Sequence, residues 1–215
     1  MKAIVIGATG LVGNLILKEL LGDNDFSEVR IFIRKPTGII NPKLKEIIAP
    51  MTDINTLSSE IQGDVLFNAL GTTIKKAGSK EEQQRIDRDL PIVFAKIASE
   101  NEVKTMLNVS STGANLKGGF YLKTKAEMES GTGKFFPQSV FHFRPGFLVG
   151  DRKEFRLVEK IASGVMKVID TILKGSSQKY RSMPADKLAK AMVSLSKNPA
   201  GKPTVLQFSD IMKCI

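Results

Sequence analysis

Lys2-Ala3-Ile4-Val5-Ile6-Gly7-Ala8-Thr9-Gly10-Leu11-Val12-Gly13 opens the chain, and the fold is decided there. Five residues that read as a buried strand run straight into glycines spaced G-x-x-G-x-x-G. Val12, Leu15, Ile16 and Leu20 then recur at helical spacing, with Gly22 near the helix end. A strand, a glycine loop and a helix in that order form a relative of the dinucleotide-binding fingerprint. Gly7 serves the tight turn, Gly10 lets backbone approach a pyrophosphate, and Gly13 lets the helix pack on the sheet. The helix N-terminus presents free N–H groups and a favourable dipole to the phosphates. Gly7, Thr9, Gly10, Leu11, Val12 and Gly13 are therefore expected to contact a dinucleotide.

Working outward, strands alternate with helices. Strands are expected at Glu28–Ile33, 44–49, 64–70, 105–110, 139–143 and 204–208, with a short helix around 54–61. Ile86, Leu90, Val93, Phe94, Ile97 and Ala98 make a helical stripe that Pro91 interrupts; the helix is either kinked there or starts with Asp89 as its cap. Helices are also expected near Tyr121, along Leu157–Ile172 and after Pro184. This alternation predicts one α/β domain over residues 1–215: a doubly wound parallel sheet with helices on both faces. A small substrate-capping region is expected mainly from about 145–215.

Composition narrows the possibilities. The 215 residues suit one domain, with 42% apolar and 25% charged residues. No apolar run reaches the ~18 residues of a membrane span. The first apolar stretch ends in the glycine loop, so it does not read as a signal peptide. The single cysteine, Cys214, excludes a disulfide scaffold and a cysteine-rich zinc site. A cytoplasmic location is the expectation. The net charge is +10, carried by scattered lysines, and fits a solvated surface or attraction for a phosphorylated small molecule. No zinc-finger, helix-turn-helix or RNP-like pattern points to nucleic acid. His142 is read as a packed or rim residue, the methionines as packing, and Asp87, Arg88 and Asp89 as a solvated, capped helix start.

The second strand ends in Ile33-Arg34-Lys35-Pro36. A free ribose 2′-hydroxyl usually meets an acid here; two cations suit a 2′-phosphate, so NADP is expected over NAD. Ala69, Leu70 and Gly71 leave room for the adenine ribose. Asp53 either accepts from the adenine amino group or caps the following helix.

Tyr121 and Lys125 stand four apart and share a face if helical. A tyrosine hydroxyl titrates near pH ~10, and an ammonium beside it favours the phenolate. Such a pair suits proton exchange with a carbonyl or alcohol while Lys125 also holds ribose hydroxyls. Ser110 and Ser111 close the fifth strand, where an open α/β sheet binds ligands, and a hydroxyl there can stabilise a substrate oxygen.

The stretches GATGLVG, IRK, NALGTT followed by KKAGS, RIDRDLP, NVSSTGA, YLKTK and FRPGFLVGDR together resemble the atypical short-chain dehydrogenase/reductases. Within that group they are most similar to the Tat-interacting-protein-like oxidoreductases. MPADKLAKAMV resembles a later helix of the family. The resemblance implies a Rossmann fold, an NADP cofactor and a small carbonyl or alcohol substrate. It implies a Ser–Tyr–Lys constellation at Ser111, Tyr121 and Lys125, with Ser110 the alternative serine. It also sets Pro145, in Arg144-Pro145-Gly146, beside the nicotinamide. Some relatives bind the nucleotide but act as regulators or redox sensors, which is the alternative function.

Overall fold

The computed structural model describes residues 1–137, 139–150, 173, 175–199 and 204–215. The expected stripe along Leu157–Ile172 lies outside the described residues, and with it most of the expected capping region.

The opening strand is β1 (Lys2–Ile6), and the helix after the glycine loop is α1 (Leu11–Gly22). Then follow β2 (Glu28–Ile33), β3 (Leu44–Ile48), a 3-10 turn (Ile54–Glu60) and β4 (Val65–Asn68). A short α2 (Ile74–Ala77) leads to α3 (Lys80–Gln84), a π-turn (Arg85–Asp89) and α4 (Leu90–Glu100). β5 (Thr105–Val109), α5 (Phe120–Gly133) and β6 (Val140–Phe143) come next. The chain ends with β7 (Leu148–Val149), a 3-10 turn (Gly175–Tyr180), β8 (Met183–Pro184), α6 (Ala185–Lys197), β9 (Val205–Leu206) and α7 (Phe208–Met212). The late strand is shorter than expected: Phe208 begins a helix, fixed by a reciprocal capping box between Gln207 and Asp210.

Seven strands form one sheet in the order β3-β2-β1-β4-β5-β6-β9, and every pairing is parallel. This is the expected doubly wound sheet. β7 and β8 form a separate two-stranded parallel pair. Period-two alternation sends the two sets of strand side chains into two cores. Ala3, Val5, Ile31, Phe67, Leu107 and Phe143 pack with Ile16 and Leu20 of α1 and Leu188 and Met192 of α6. Ile4, Ile6, Phe32, Leu66 and Met106 pack with Leu90, Phe94 and Ile97 of α4 on the other side. Strands covered on both faces explain their continuous apolar runs.

Strand order reverses between β1 and β4, and a crevice at such a point is where open α/β sheets take ligands. The backbone closes up tightly there. Gly7 has φ +81°, and a Cβ on it would sit 2.6 Å from the Ala69 carbonyl carbon and oxygen. A Cβ on Gly13 would sit 2.1 Å from the Gly7 carbonyl oxygen. The loop, the start of α1 and the end of β4 thus touch backbone to backbone.

Pro91 does not start a helix. Asp89 has helical dihedrals and makes no side-chain cap. The chain is helical from α3 through α4, and the Leu90 N–H bonds the Arg85 carbonyl five residues back. Proline lacks an N–H and crowds the carbonyl four residues before it, and a widened π-turn relieves both. The turn directs Gln83, Asp87, Leu90 and Phe94 inward. Asp87 is therefore fully buried rather than part of a solvated helix start, and Arg88 is paired with Asp89 and Glu127.

The glycine contacts predict an asymmetry between two Gly→Ala changes in α1. Gly13→Ala should lower the unfolding free energy by at least about 3 kcal/mol, the upper end for overpacking, because the obstructing atoms are backbone. Gly22→Ala, which meets nothing within 4 Å, should be neutral or stabilising. Urea unfolding of both variants checks the difference.

Candidate active site

The site lies along the C-terminal edge of the sheet, between the glycine loop and α5. At the loop, Gly10 N–H donates to the Gly7 carbonyl (2.9 Å), closing the turn. Gly10 occupies the cap position of α1 and offers no side chain to the first amides. A Cβ there would approach only the Gly7 oxygen, at 3.2 Å, within 3.5 Å. The loop is thus a cradle with uncapped amides at a helix N-terminus, which suits a pyrophosphate.

Arg34 and Lys35 follow β2 and are both exposed. Their turn is anchored from β3: Glu46 accepts hydrogen bonds from the Thr37 amide and hydroxyl. Glu46 is therefore occupied, while Arg34, whose charge also acts on Glu82, and Lys35 remain exposed to solvent. Asp53 is exposed and caps the 3-10 turn, accepting from the Asn55 amide at 3.1 Å. The capping alternative is thus what its geometry displays.

Ala69, Leu70 and Gly71 leave β4 beside the loop, and Ala69 N–H donates to the Ile6 carbonyl (2.9 Å). Tyr121 and Lys125 lie on α5, one turn apart, but in opposite surroundings. Tyr121 is exposed, while Lys125 is 3% exposed. Lys125 Nζ donates to the Leu70 carbonyl (3.3 Å) and lies 3.8 Å from Asp87 Oδ2. The helix thus brings the candidate lysine under the β4 loop. Burial pushes the Asp87 carboxyl up, against the opposing pull of Lys125 and the Thr72 amide.

The two serines after β5 part company. Ser110 is buried, and its hydroxyl donates to Glu129 Oε1 (2.5 Å). Ser111 is half-buried, and among the described residues its hydroxyl makes only a long 3.4 Å contact to the Thr112 carbonyl. Glu129 also receives both Nε (2.8 Å) and Nη2 (2.5 Å) of Arg144, a bidentate pair that holds the Arg144-Pro145-Gly146 segment against α5. Thr112 ties that segment further: its amide donates to the Pro145 carbonyl (2.9 Å), and its hydroxyl to the Arg144 (2.8 Å) and Lys179 (2.9 Å) carbonyls. Pro145 is thereby brought next to the serine loop.

Beneath this edge runs a buried polar row. Asn68 Nδ2 donates to Asn108 Oδ1 (2.9 Å), and Asn108 Nδ2 reaches Thr132 Oγ1 and His142 Nδ1 (both 3.2 Å). An amide nitrogen only donates, so His142 accepts through Nδ1 and carries its proton on Nε2. Asn68, Asn108 and His142 are register neighbours on three adjacent strands. Sequence reasoning missed this row, and missed Glu129 too. One signal for Glu129 was available: it lies four residues beyond Lys125 and eight beyond Tyr121, on the same helical face. His142 is buried, as expected of a packed histidine. Among the described residues no group of three or more His, Cys, Asp or Glu is arranged to hold a metal ion, and no helix is long and apolar enough to cross a membrane.

A switch-point glycine cradle facing a Tyr-x-x-x-Lys helix defines a Rossmann domain of the short-chain dehydrogenase/reductase kind. No protein-family model matches the chain. It is 36% identical to the protein FMP52 of Candida albicans over 160 residues, covering 72% of this chain and 70% of that protein. It is 34% identical to HTATIP2 of Rattus norvegicus, over 75% of this chain and 68% of that one. The chain belongs to the FMP52/HTATIP2 family of atypical short-chain dehydrogenase/reductases. The fold extends to solved structures at low identity. MoeE5 in complex with UDP-glucose and NAD has a TM-score of 0.71 at 13% identity, covering 99% of this chain and 80% of that one. A short-chain dehydrogenase family protein from Francisella tularensis has a TM-score of 0.67 at 17% identity, with 96% of each chain covered.

The relatives correct one expectation. FMP52 proteins from Candida albicans, Emericella nidulans and Saccharomyces cerevisiae are named as mitochondrial, which overturns the cytoplasmic assignment and points to mitochondria. A low cysteine count speaks to redox conditions, not to which compartment supplies them.

The buried row generates a pH test. Desolvation drives His142 down from 6.5 to about 4, with Glu129 opposing and Arg144 adding to the fall. The unfolded chain takes up this proton near pH 6.5, but the folded one does not. His142 thus contributes full stability above about pH 6.5 and loses it as pH falls toward 4. The loss should be on the order of 3 kcal/mol. His142→Gln keeps an acceptor for Asn108 and should flatten that part of the stability–pH curve, read by urea unfolding from pH 7 to 4.5.

Proposed function

We propose that this protein is an NADP-dependent oxidoreductase that moves a hydride to or from a small carbonyl or alcohol. The observation that carries the proposal is Lys125: a buried ammonium beneath the Leu70 carbonyl, one helical turn from an exposed Tyr121, across the edge from an uncapped glycine cradle. Relatives of this fold that were solved with NAD support the cofactor class.

In this reading the amides after Gly10 hold the pyrophosphate, with Gly7, Thr9, Leu11, Val12 and Gly13 forming the cradle. Arg34 and Lys35 take the 2′-phosphate in place of the usual acid. Ala69, Leu70 and Gly71 border the adenine ribose, and Asp53 lies toward the adenine. Lys125 meets the ribose hydroxyls on the reacting side, and Pro145 borders the nicotinamide. When bound, the dinucleotide supplies or accepts the hydride.

The protein's own residues handle the proton and the charge. Tyr121 gives its hydroxyl proton to a carbonyl oxygen, or takes one from an alcohol. Lys125, one turn along α5, supplies positive charge to that side of the site. Ser111 donates to the same substrate oxygen. Ser110 is the weaker candidate, because Glu129 already engages its hydroxyl.

Tyr121→Phe deletes the proton donor and keeps the ring. Turnover of any carbonyl that the wild type reduces should fall by ~10²–10⁴-fold, with NADPH affinity retained. Arg34→Ala should cost NADPH about 1.5–3 kcal/mol of binding and leave NADH nearly unchanged. Steady-state kinetics and calorimetry read these outcomes. Wild type that binds NADPH but reduces no carbonyl across an aldehyde, ketone and quinone panel would favour the nucleotide-sensing regulator instead.

A further inference from the structure

Two exposed aromatic rings border the candidate active site, and the chemistry described so far does not use them. Phe147 is 55% exposed and Tyr180 is 53% exposed, and neither belongs to the two cores of the described residues. The backbone that carries them is nevertheless closely fixed. A Cβ on Gly146 would lie 2.3 Å from the Arg181 carbonyl oxygen and 3.0 Å from that of Tyr180, so the two segments touch backbone to backbone. The Met183 amide donates to the Phe147 carbonyl at 2.8 Å. Leu148 and Met183 are register partners in β7 and β8, and both pack into the core shared with α1 and α6. Thr112, the residue after Ser111, ties this wall to the serine loop. Its amide donates to the Pro145 carbonyl, and its hydroxyl proton is shared between the Arg144 and Lys179 carbonyls. Lys179 Nζ lies 5.3 Å over the Tyr180 ring, a contact that orients the ring.

Single exposed apolar side chains need no explanation, but four of the ten large ones among the described residues stand around this edge. The other two are Leu116, in the loop that joins Ser111 to α5, and Tyr121 itself. Apolar patches set among polar groups mark ligand grooves, and rings held by a fixed backbone offer a ligand flat faces that need little further ordering. A ring on the ligand gains offset or edge contacts with them beyond the area it buries. We propose that Phe147 and Tyr180 form an aromatic wall of the substrate site, and that the substrate is an aryl carbonyl compound, a flat aromatic ring joined to the carbonyl that Tyr121 and Ser111 engage. The assignment rests on the oxidoreductase reading above and names its substrate class. The carbonyl carbon accepts the hydride from NADPH, its π bond breaks onto oxygen, and that oxygen takes the Tyr121 hydroxyl proton. The carbonyl is reduced to an alcohol as NADPH is oxidised to NADP⁺.

Naphthaldehyde and butanal, each with NADPH, test the assignment on the full chain. Phe147→Ala and Tyr180→Ala each remove one exposed ring from the wall. Each should lower the ratio of kcat/KM for naphthaldehyde to that for butanal by about tenfold, mainly through the KM for naphthaldehyde. Phe147→Tyr keeps a ring and should hold the ratio near its wild-type value. An unchanged ratio in both alanine variants would overturn the aromatic wall and leave the oxidoreductase reading in place.

A second readout needs no turnover. The chain has no tryptophan, and its two tyrosines are Tyr121 and Tyr180, so its intrinsic emission comes from this edge. Naphthaldehyde absorbs where tyrosine emits, and its binding in the presence of NADP⁺ should quench that emission saturably. Phe147→Ala keeps both tyrosines and should raise the half-saturating concentration by about tenfold. Quenching that does not saturate, or that is the same in Phe147→Ala, would overturn the wall. Saturable quenching that Phe147→Ala weakens, in a protein that reduces neither aldehyde, would overturn the oxidoreductase reading and with it the substrate, while the aromatic site itself stood.

Discussion

The ligand-facing edge depends on a backbone approach too close for any side chain. Gly13 sits against the Gly7 carbonyl and Gly7 against the Ala69 carbonyl, at distances no Cβ tolerates. This contact sets the height of α1 over the sheet, joins the ends of β1 and β4 at the point where strand order reverses, and leaves the first amides of α1 uncapped. Everything proposed for the site is built on that junction. The loop after β4 leaves it carrying the Leu70 carbonyl, and that carbonyl receives Lys125 from α5.

Below the junction the molecule carries a band of buried polar groups. Asn68, Asn108 and His142 run across three strands, and Glu129 joins Ser110 and Arg144 beside them. Such groups are expensive unless their partners are in place, and here nearly all are. Their placement beneath a candidate active site fits a rigid floor rather than extra stability, since buried ion pairs contribute little net free energy. The Glu129–Arg144 pair holds the segment with Pro145 against the same helix that carries Tyr121 and Lys125. One face of α5 therefore both presents the candidate chemistry and anchors the opposite wall.

Much of this was legible in the sequence because the relevant signals are local. A run of β-branched residues, three glycines at fixed spacing and a 3.6-residue stripe fix β1, the loop and α1 without reference to anything distant. Tyr121 and Lys125 share a face because helix geometry requires it. What escaped was non-local or a matter of choice between alternatives. Asp87 read as solvated because Asp-Arg-Asp ahead of a proline looks like a helix start. Its burial follows from the π-turn, which appears only once the helix from Lys80 must continue through Pro91. The polar row needed the strand register, which places Asn108 between Asn68 and His142. Ser110 and Ser111 were indistinguishable by type, and only the packing of α5 separates them. Compartment was not legible at all and was corrected by relatives named as mitochondrial.

The central claim is that a dinucleotide lies on the glycine cradle at the β1/β4 junction. Calorimetric titration of NADPH into the wild type and into Gly10→Val tests it most directly. Among the described residues, a Cβ at Gly10 comes closer than 3.5 Å only to the Gly7 carbonyl oxygen, at 3.2 Å, so a folded Gly10→Val is expected, with its added methyls in the space a pyrophosphate needs. The account predicts saturable one-to-one binding by the wild type and none by a folded Gly10→Val. Equal NADPH affinity in the two folded proteins would contradict it.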